Sequence, residues 1–175
     1  MESNPILTLI HERRSFRHFR AELPARSVLE AIVEAGRCAP SAMNARKTHF
    51  YVITDPKRLA DCSAMISSKL PAYANKDFRY AAPVMILLTN VEDHPSALQD
   101  ISCAMENMML AATALGVGSC WLNHFFHLEH DPDLRTLMGV APGERMCAAL
   151  ALGLPARDDF ARREEFPGNP VTWLE

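Results

Sequence analysis

Hydrophobic residues recur in the first part of the chain at the spacing of amphipathic helices. Asn4 and Pro5 stand where a helix N-cap and a first helical residue are expected, and an apolar face follows them. This pattern predicts a first helix that ends near Arg13. A second predicted helix stops before Pro40, because proline cannot continue a helix. The apolar face of the second helix comprises Val28, Leu29, Ile32, Val33 and Gly36.

Short apolar runs later in the chain predict strands. Residues 48–56 indicate a strand that runs into a turn, and residues 57–70 a third helix. The run at 84–90 is almost continuously apolar, which is typical of a strand buried on both faces. Residues 144–155 predict a last buried strand. Between these two strands we expect a short helix at 131–139.

The longest helical pattern covers residues 98–116, with Ser96 as its expected cap. Nearly all of its faces are apolar, so we expect this helix in the centre of the molecule. Glycines end it, and residues 119–126 are expected to be extended. Together the elements predict a mixed α+β domain with three or four strands and five helices. The tail at 156–175 combines a charged stretch with apolar residues that need a surface to cover, for which a partner subunit is one candidate: Phe160, Phe166, Val171, Trp173 and Leu174.

Composition narrows the class of protein. A chain of 175 residues with 49% hydrophobic and 22% charged residues is typical of one globular domain. The net charge of −3 gives no reason to expect nucleic acid or an anionic membrane surface as a partner. No apolar run is long enough to cross a bilayer, and the N-terminal charges are in the wrong order for a secretory signal. The five widely spaced cysteines predict small core residues in a reducing cytoplasm.

Catalytic side-chain motifs are missing from the sequence. We find no nucleophile elbow, zinc-protease motif or P-loop, and the glycines at 116 and 118 follow a helix, unlike a dinucleotide fingerprint. Cys120 and His124 lack a third group that orients them. His124, His127 and His130 are either metal ligands on one helix face or part of a polar loop, and we predict no metal site. Such a chain favours a cofactor that brings its own chemistry.

Residues 13–17, which read RRSFR, are the best candidate for anion binding, and we call them the arginine–serine segment. Guanidinium groups match the geometry of phosphate, and Ser15 adds a hydroxyl. Cations at the C-terminus of a helix also complement the helix dipole, so the segment has a purely structural interpretation as well.

An ordered set of motifs resembles the nitroreductase-like FMN flavoenzymes, whose N-terminal signature reads roughly R-R-S-x-R-x-F and A-P-S-x-x-N. The resemblance covers almost the whole chain in family order. It is carried by RRSFRHF, LEAIVEAGRCAPSAMN, HFYVITD, AAPVMILL, MENMMLAATALGVGSCWL and ALALGLPA. It implies the family's α+β fold, with a central mixed, mainly antiparallel sheet flanked by helices, in an intertwined homodimer. Residues 1–175 would form one such domain, and the tail 156–175 would pack on the partner.

The resemblance also assigns cofactor-binding residues for FMN. The arginine–serine segment would hold the phosphate and ribityl chain, and Arg17 would lie by the flavin pyrimidine edge, where a cation stabilises the anionic reduced ring. Residues 40–44, which we call the small-residue loop, would line the flavin from the other subunit. The residues that match these roles are Arg13, Arg14, Ser15, Arg17, Pro40, Ser41, Ala42 and Asn44. Leu122, Asn123 and His124 match the stretch near flavin N5, and Arg162 and Arg163 are counterparts of a basic phosphate ligand.

Two departures from the family pattern concern the substrate side. Residues 45–48 read ARKT where many members have x-Q-P-W, and Asn123-His124 replaces Glu-Gly. The resemblance implies a cytoplasmic FMN-dependent oxidoreductase in which NADH or NADPH drives ping-pong, two-electron reduction of nitroaromatic, quinone or similar electron-poor acceptors. No protein acid or base is required, since the flavin carries the chemistry. The alternative is a low-turnover flavin-binding protein that serves as a sensor or carrier.

Overall fold

The computed structural model describes residues 4–156 and 168–174, and its helices and strands follow the predicted order. The α-helices are α1 (Pro5–Glu12), α2 (Arg26–Arg37), α3 (Pro56–Lys69), α4 (Ala97–Ala114) and α5 (Pro132–Met138). The strands are β1 (His49–Ile53), β2 (Val84–Val91), β3 (Gly118–Leu122) and β4 (Glu144–Gly153). Short 3-10 turns cover Ala42–Asn44, Pro71–Tyr73 and His124–Leu128.

The ends of the first two helices follow their sequence signals. The Asn4 side chain accepts hydrogen bonds from the N–H groups of Ile6 and Leu7, and Pro5 is the first residue of α1. Helix α1 ends at Glu12 with Arg13 as its C-cap, and α2 ends at Arg37, before Pro40. Both boundaries confirm the predictions.

The sheet has the strand order β1-β2-β4-β3, and each neighbouring pair is antiparallel. Strand β2 is buried from Val84 to Asn90, as expected for a strand covered on both faces. A parallel element is added by an isolated bridge between Ser15 and Ser119. The predicted mixed but mainly antiparallel sheet is therefore confirmed.

Helices cover both faces of the sheet. One apolar cluster joins α2 and α4 to residues such as Ile86 and Leu150, and the other joins α3 and α5 to residues such as Leu87 and Ala149. Helix α4 is central, as predicted, because nine of its residues are buried. Gly36 allows α2 to approach it closely, since a Cβ there would lie 2.8 Å from the Met108 side chain.

Several local predictions are wrong. Strand β3 ends at Leu122, and the chain then turns because His124 and Phe125 are buried in a 3-10 turn. Ser96 stands at the N-cap of α4, but only its carbonyl oxygen, which accepts from the N–H of Asp100, is used. Residues 171–174, whose sequence VTWL is typical of a short strand, are not assigned to one. Phe160 and Phe166 lie outside the described residues.

The cysteines divide into two groups. Cys62, Cys120 and Cys147 are buried, as expected, but the prediction of core residues is wrong for Cys38 at the end of α2 and Cys103 on α4, which are exposed. Burial raises the pKa of Cys62 to about 12 and that of Cys147 to about 11, so both are inert thiols at neutral pH. Among the described residues, no helix combines the length and the hydropathy that a membrane-spanning helix needs.

Candidate functional site

The arginine–serine segment lies along β3 and does not stay at the end of α1. The N–H of Phe16 donates to the carbonyl oxygen of Ser119 at 2.8 Å, and Ser15 forms the bridge to the same strand residue. A few residues later, the backbone N–H of Arg20 donates to the carbonyl oxygen of Leu154 at 2.9 Å, just beyond the end of β4. The sheet therefore fixes the backbone from which the segment's side chains project.

Gly118 allows the arginine–serine segment to lie close to β3. A Cβ at Gly118 would lie 2.9 Å from the Phe16 ring, which is closer than carbon atoms approach each other. Phe16 is buried over the start of β3. Its burial explains why the chain leaves α1 for the sheet instead of continuing into solvent.

Each arginine of the segment has a different environment. Arg13 caps α1 and its Nε lies 3.2 Å from a carboxylate oxygen of Glu106 on α4, while Arg14 is half-buried. The Arg17 guanidinium stands over the Tyr80 ring, 5.7 Å from its centroid. A hydrogen-bonding interaction with Tyr80 raises the pKa of Arg17, although partial burial opposes it. Arg13 caps α1 and so can complement the helix dipole, but Arg17 lies farther along the segment, and that interpretation does not account for it.

Residues 122–124, which the resemblance assigns to the region of flavin N5, lie at the end of β3, on the same edge of the sheet as the arginine–serine segment. Leu122 is buried, Asn123 is exposed, and His124 is buried among aromatic rings. The Tyr73 ring meets His124 edge-on at 4.0 Å, and the Phe78 ring lies 4.8 Å away. Burial lowers the pKa of His124, so the ring is neutral near pH 7.

Two polar atoms along this edge are buried without a hydrogen-bond partner in the described part of the chain. They are the Ser119 hydroxyl oxygen and His124 Nδ1. Such atoms are rare in native proteins, because each loses its hydrogen bond to water. Ser119 lies near the beginning of β3 and His124 just beyond its end. Polar groups of a ligand at this edge would supply the missing hydrogen-bond partners.

The structure gives no support to the other side-chain chemistry considered from the sequence. Burial raises the pKa of Cys120, although Arg17 opposes the shift, and a protonated thiol is a poor nucleophile. His130 pairs with Glu92 at 3.1 Å, away from the aromatic surroundings of His124. Within residues 4–156 and 168–174, no group of three metal-ligating side chains is found.

The small-residue loop lies elsewhere, between α2 and β1. Its backbone takes left-handed φ values at Met43, Asn44 and, just beyond, Arg46, a conformation that costs non-glycine residues on the order of 1 kcal/mol or more each. The Ala42 N–H donates to a carboxylate oxygen of Asp100 at 2.8 Å. The other oxygen of this buried carboxylate lies 2.9 Å from His94 Nε2.

Further hydrogen bonds hold the loop to itself. The N–H of Arg46 donates to the Ser41 hydroxyl at 3.0 Å, and the Arg46 side chain donates to the Asn44 amide oxygen at 2.9 Å. Pro40 and Asn44 are exposed, and Ser41 and Ala42 are half-buried. The loop therefore presents backbone and small side chains to solvent in one defined conformation.

A cavity of about 940 Å³ opens beside the small-residue loop. Its wall includes Arg46, Lys47 and Thr48, which depart from the family pattern, and Glu144 at the start of β4. The Glu144 carboxylate accepts hydrogen bonds from Tyr51 and Thr89 and contacts His49 at 3.0 Å. Partial burial opposes ionisation, but these hydrogen bonds hold the pKa of Glu144 below its ordinary value.

The two parts of the predicted site lie at opposite ends of the sheet. Ser119, beside the arginine–serine segment, pairs with Leu152 on β4, whereas Glu144 beside the loop's cavity begins the same strand. These two β4 residues are eight positions apart, which is about 26 Å at the usual strand rise of ~3.3 Å. Arg162 and Arg163 lie outside the described residues.

Sequence reasoning missed four residues that shape these two regions: Tyr80, His94, Asp100 and Glu144. The strongest available signal was Asp100, an acidic residue in the first turn of an otherwise apolar helix. The other three depend on contacts between distant parts of the chain, and no local pattern indicates them.

Comparison with known proteins gives consistent matches over most of the chain. Residues 10–154 match the model of the nitroreductase family. A protein of Archaeoglobus fulgidus named as an NADH dehydrogenase/NAD(P)H nitroreductase is 32% identical over 164 residues, which cover 91% of each chain. The crystal structure of a nitroreductase with bound FMN from Bacteroides fragilis is 29% identical, with a TM-score of 0.91 over 99% of this chain and 100% of that one. A nitroreductase in complex with FMN from Desulfovibrio desulfuricans is 28% identical, with a TM-score of 0.74 over 97% and 99%.

Proposed function

This chain belongs to the nitroreductase family, and we propose that it binds FMN and uses NADH or NADPH to reduce electron-poor acceptors such as nitroaromatics and quinones. The relatives from Bacteroides fragilis and Desulfovibrio desulfuricans, which hold FMN, support the cofactor. The name of the Archaeoglobus fulgidus relative supports the electron donor. The protein is an FMN-dependent NAD(P)H oxidoreductase, and its FMN supplies the ring that accepts and donates the hydride.

The observation that carries this proposal is the path of the arginine–serine segment along β3. It places Arg13, Ser15 and Arg17 on a fixed backbone at the edge that also ends in Asn123. Arginine and serine donors match a phosphate and a ribityl chain. The buried Ser119 hydroxyl and His124 Nδ1, without partners in the described residues, fit a polar ligand at the same edge. The residues present therefore fit FMN.

Arg17 has the electrostatic role in this assignment. Its guanidinium would face the pyrimidine edge of the ring, where negative charge increases on reduction. Because the pKa of Arg17 is raised, the side chain stays a cation throughout the physiological range. Arg13 and Ser15, with Arg14 beside them, would hold the phosphate and ribityl groups. Arg162 and Arg163 remain proposed as further phosphate ligands.

The small-residue loop would contribute Pro40, Ser41, Ala42 and Asn44 to the flavin site of a second copy of the chain. Within one chain, the loop's cavity and the arginine–serine segment lie at opposite ends of β4. The resemblance implies that the loop of one chain lines the flavin held by the arginine–serine segment of the other. We therefore propose a homodimer with two shared sites.

Uncovered apolar surface supports this dimer. Helix α1 has no buried residue, and Ile6 and Leu7 on its apolar face are exposed. In the tail, Trp173 and Leu174 are 83% and 94% exposed, which is costly for an isolated chain. The outer edge of β1 and a groove between β1 and α2 lined by Val52 offer such a tail a place to pack.

The remaining expectations are part of the same proposal. Residues 1–175 form a single domain whose tail, 156–175, packs on the partner. The exposed Cys38 and Cys103 are free thiols, which agrees with a cytoplasmic location. Neither nucleic acid nor a membrane is proposed as a partner.

Purification of the protein tests the cofactor and the activity together. We expect a yellow protein whose released flavin has the mass of FMN and which oxidises NADH or NADPH when a quinone or nitroarene is present. Bound FMN without turnover would instead support the sensor or carrier alternative.

Light scattering at low micromolar concentration tests the dimer, and a monomer that keeps its FMN would contradict the shared site.

A further inference from the structure

The segment between α3 and β2 contacts both functional groups on the β3 edge. Tyr73 meets the His124 ring, and Tyr80 lies beneath the Arg17 guanidinium. Nothing in the family motifs considered above assigns a role to this segment. Its contacts place it next to the proposed flavin site, on the side opposite to α4.

The backbone around Tyr80 is strained. Tyr80 and Ala81 both take left-handed φ values, 58° and 57°, although neither is a glycine. Left-handed conformations of ordinary residues cost free energy and persist only where the surrounding structure imposes them. Two in succession need a specific cause.

An ion-pair network imposes this conformation. One Asp77 oxygen accepts from the Ala81 N–H at 3.0 Å and pairs with Arg79 at 3.2 Å, and the other accepts from the Ser63 hydroxyl at 2.8 Å. The Arg79 side chain donates in turn to the carbonyl oxygen of Ala82 at 2.8 Å. The turn is therefore clamped on both sides of Tyr80.

Burial of the Tyr80 ring does not explain the clamp. The residue is 36% exposed, and the burial of the rest of its surface does not by itself require two successive left-handed residues. The defined contact of its ring is with Arg17. The network thus uses backbone strain to present one aromatic face to one guanidinium.

We propose that Tyr80 is a positioning residue that orients the Arg17 guanidinium towards the pyrimidine edge of FMN. This inference rests on the proposed function. The central carbon of the guanidinium lies 5.7 Å from the Tyr80 ring centroid, and a guanidinium has five N–H donors, so donors remain for the flavin beside the hydrogen-bonding interaction with Tyr80. The contact also restricts a long and flexible side chain, so that the cation does not turn away into solvent.

The test compares four proteins by the two-electron midpoint potential of bound FMN: wild type, Tyr80→Phe, Tyr80→Leu and Tyr80→Gly. Loss of a half-exposed cation–π contact corresponds to about a two- to fivefold weaker preference for reduced over oxidised FMN. For two electrons, tenfold is about 30 mV, so we expect Tyr80→Leu to lower the potential by about 10–20 mV. Tyr80→Phe keeps the aromatic face but removes the hydroxyl whose hydrogen-bonding interaction raises the pKa of Arg17, so its potential should fall by less than that of Tyr80→Leu.

Tyr80→Gly separates positioning from folding. Glycine accepts a left-handed φ without a steric penalty, which offsets part of the stability lost with the ring, so this variant should still fold and bind FMN. We expect its potential to fall as in Tyr80→Leu. Phe126→Leu is the matched control, because Phe126 is about equally exposed and its ring contacts the ring of His127. The potential of that control should not change.

The Arg17→Met background distinguishes the two proposals. If Tyr80 acts through Arg17, Tyr80→Leu should have no further effect on the potential once Arg17 is methionine. An unchanged potential in Tyr80→Leu, or an equal shift in both backgrounds, overturns the role of Tyr80 alone. An unchanged potential in Arg17→Met, or a wild-type protein without FMN, overturns the proposed flavin site itself.

Discussion

The arginine–serine segment and the small-residue loop are held in place by different means. The segment is bonded to β3 through its backbone, and residues 13–17 contain no left-handed φ. The loop has left-handed residues and is tied to the protein body through the Asp100 side chain. Sheet pairing tolerates changes of side chain, whereas a loop held by one carboxylate depends on that residue. The backbone of the arginine–serine segment should therefore be robust, and the small-residue loop vulnerable to single substitutions.

The largest expected effect is on the loop. Asp100→Ala leaves the Ala42 N–H and the buried His94 without their partner, which should lower the free energy of unfolding by about 2–5 kcal/mol. Urea unfolding monitored by circular dichroism measures it. Asp100→Asn is the control, because an amide oxygen still accepts from Ala42, and it should lose much less. Equal losses in the two variants would show that the charge, and not the hydrogen bond to the loop, is what matters.

The second effect concerns FMN binding by the arginine–serine segment. Arg13→Ala should weaken FMN binding by roughly 1.5–3 kcal/mol for each charge-assisted hydrogen bond removed, with little change in stability. Fluorescence quenching of FMN gives the dissociation constant. Arg26→Ala is a matched control, since Arg26 is an exposed arginine paired with Glu30 on α2. An unchanged dissociation constant in Arg13→Ala would remove this residue from the site.

Glu106 offers a sharper version of the same experiment. It pairs with Arg13 in the structure and would compete with a phosphate for the same cation. Glu106→Gln should therefore bind FMN at least as tightly as wild type. Weaker binding would mean that the ion pair itself positions Arg13.

A smaller effect is expected at Arg17. Arg17→Met removes the charge and keeps much of the length of the side chain. A unit charge about 4 Å from the ring contributes about 4 kcal/mol at an effective dielectric constant of 20, and we expect roughly 1–2 kcal/mol to remain after solvent relaxation. The midpoint potential of FMN should fall by a few tens of millivolts, since about 30 mV corresponds to 1.4 kcal/mol for two electrons.

The pH dependence of this effect has a defined sign. The pKa of Arg17 is raised above that of an ordinary guanidinium, so the charge is present at every pH from 6 to about 9. The difference in potential between wild type and Arg17→Met should therefore stay constant over this range. A difference that disappears with rising pH would point to a titrating group such as a histidine. A dye-equilibration titration at several pH values measures it.

Most of the fold follows from local patterns, and the site does not. The periodicity of α2 and the apolar run of β2 predict those elements because burial determines which faces are apolar. The prediction of an extended segment at 119–126 is wrong for residues 123–126, since their turn depends on burying Phe125 in a cluster with α3 and α5. Family motifs indicate the arginine–serine segment, but its path along β3 depends on a pairing between residues 15 and 119. The Ala42–Asp100 contact likewise spans 58 positions, which local pattern does not reveal.

The smallest expected effect tests whether the strain in the loop is functional. Met43 has a φ of 53° and a fully exposed side chain, so Met43→Gly removes a steric penalty without losing packing. Glycine also increases the entropy of the unfolded chain, so the net gain in unfolding free energy should be below about 1 kcal/mol. If the loop is held for the flavin of a second chain, this relaxation should weaken FMN binding slightly while stability rises. A matched substitution at an exposed residue with an ordinary helical backbone, Ala31→Gly in the middle of α2, should instead lower stability and leave FMN affinity unchanged. Parallel measurement of unfolding and of FMN affinity in both variants decides the question, because a strained loop without a function would gain stability at no loss of binding.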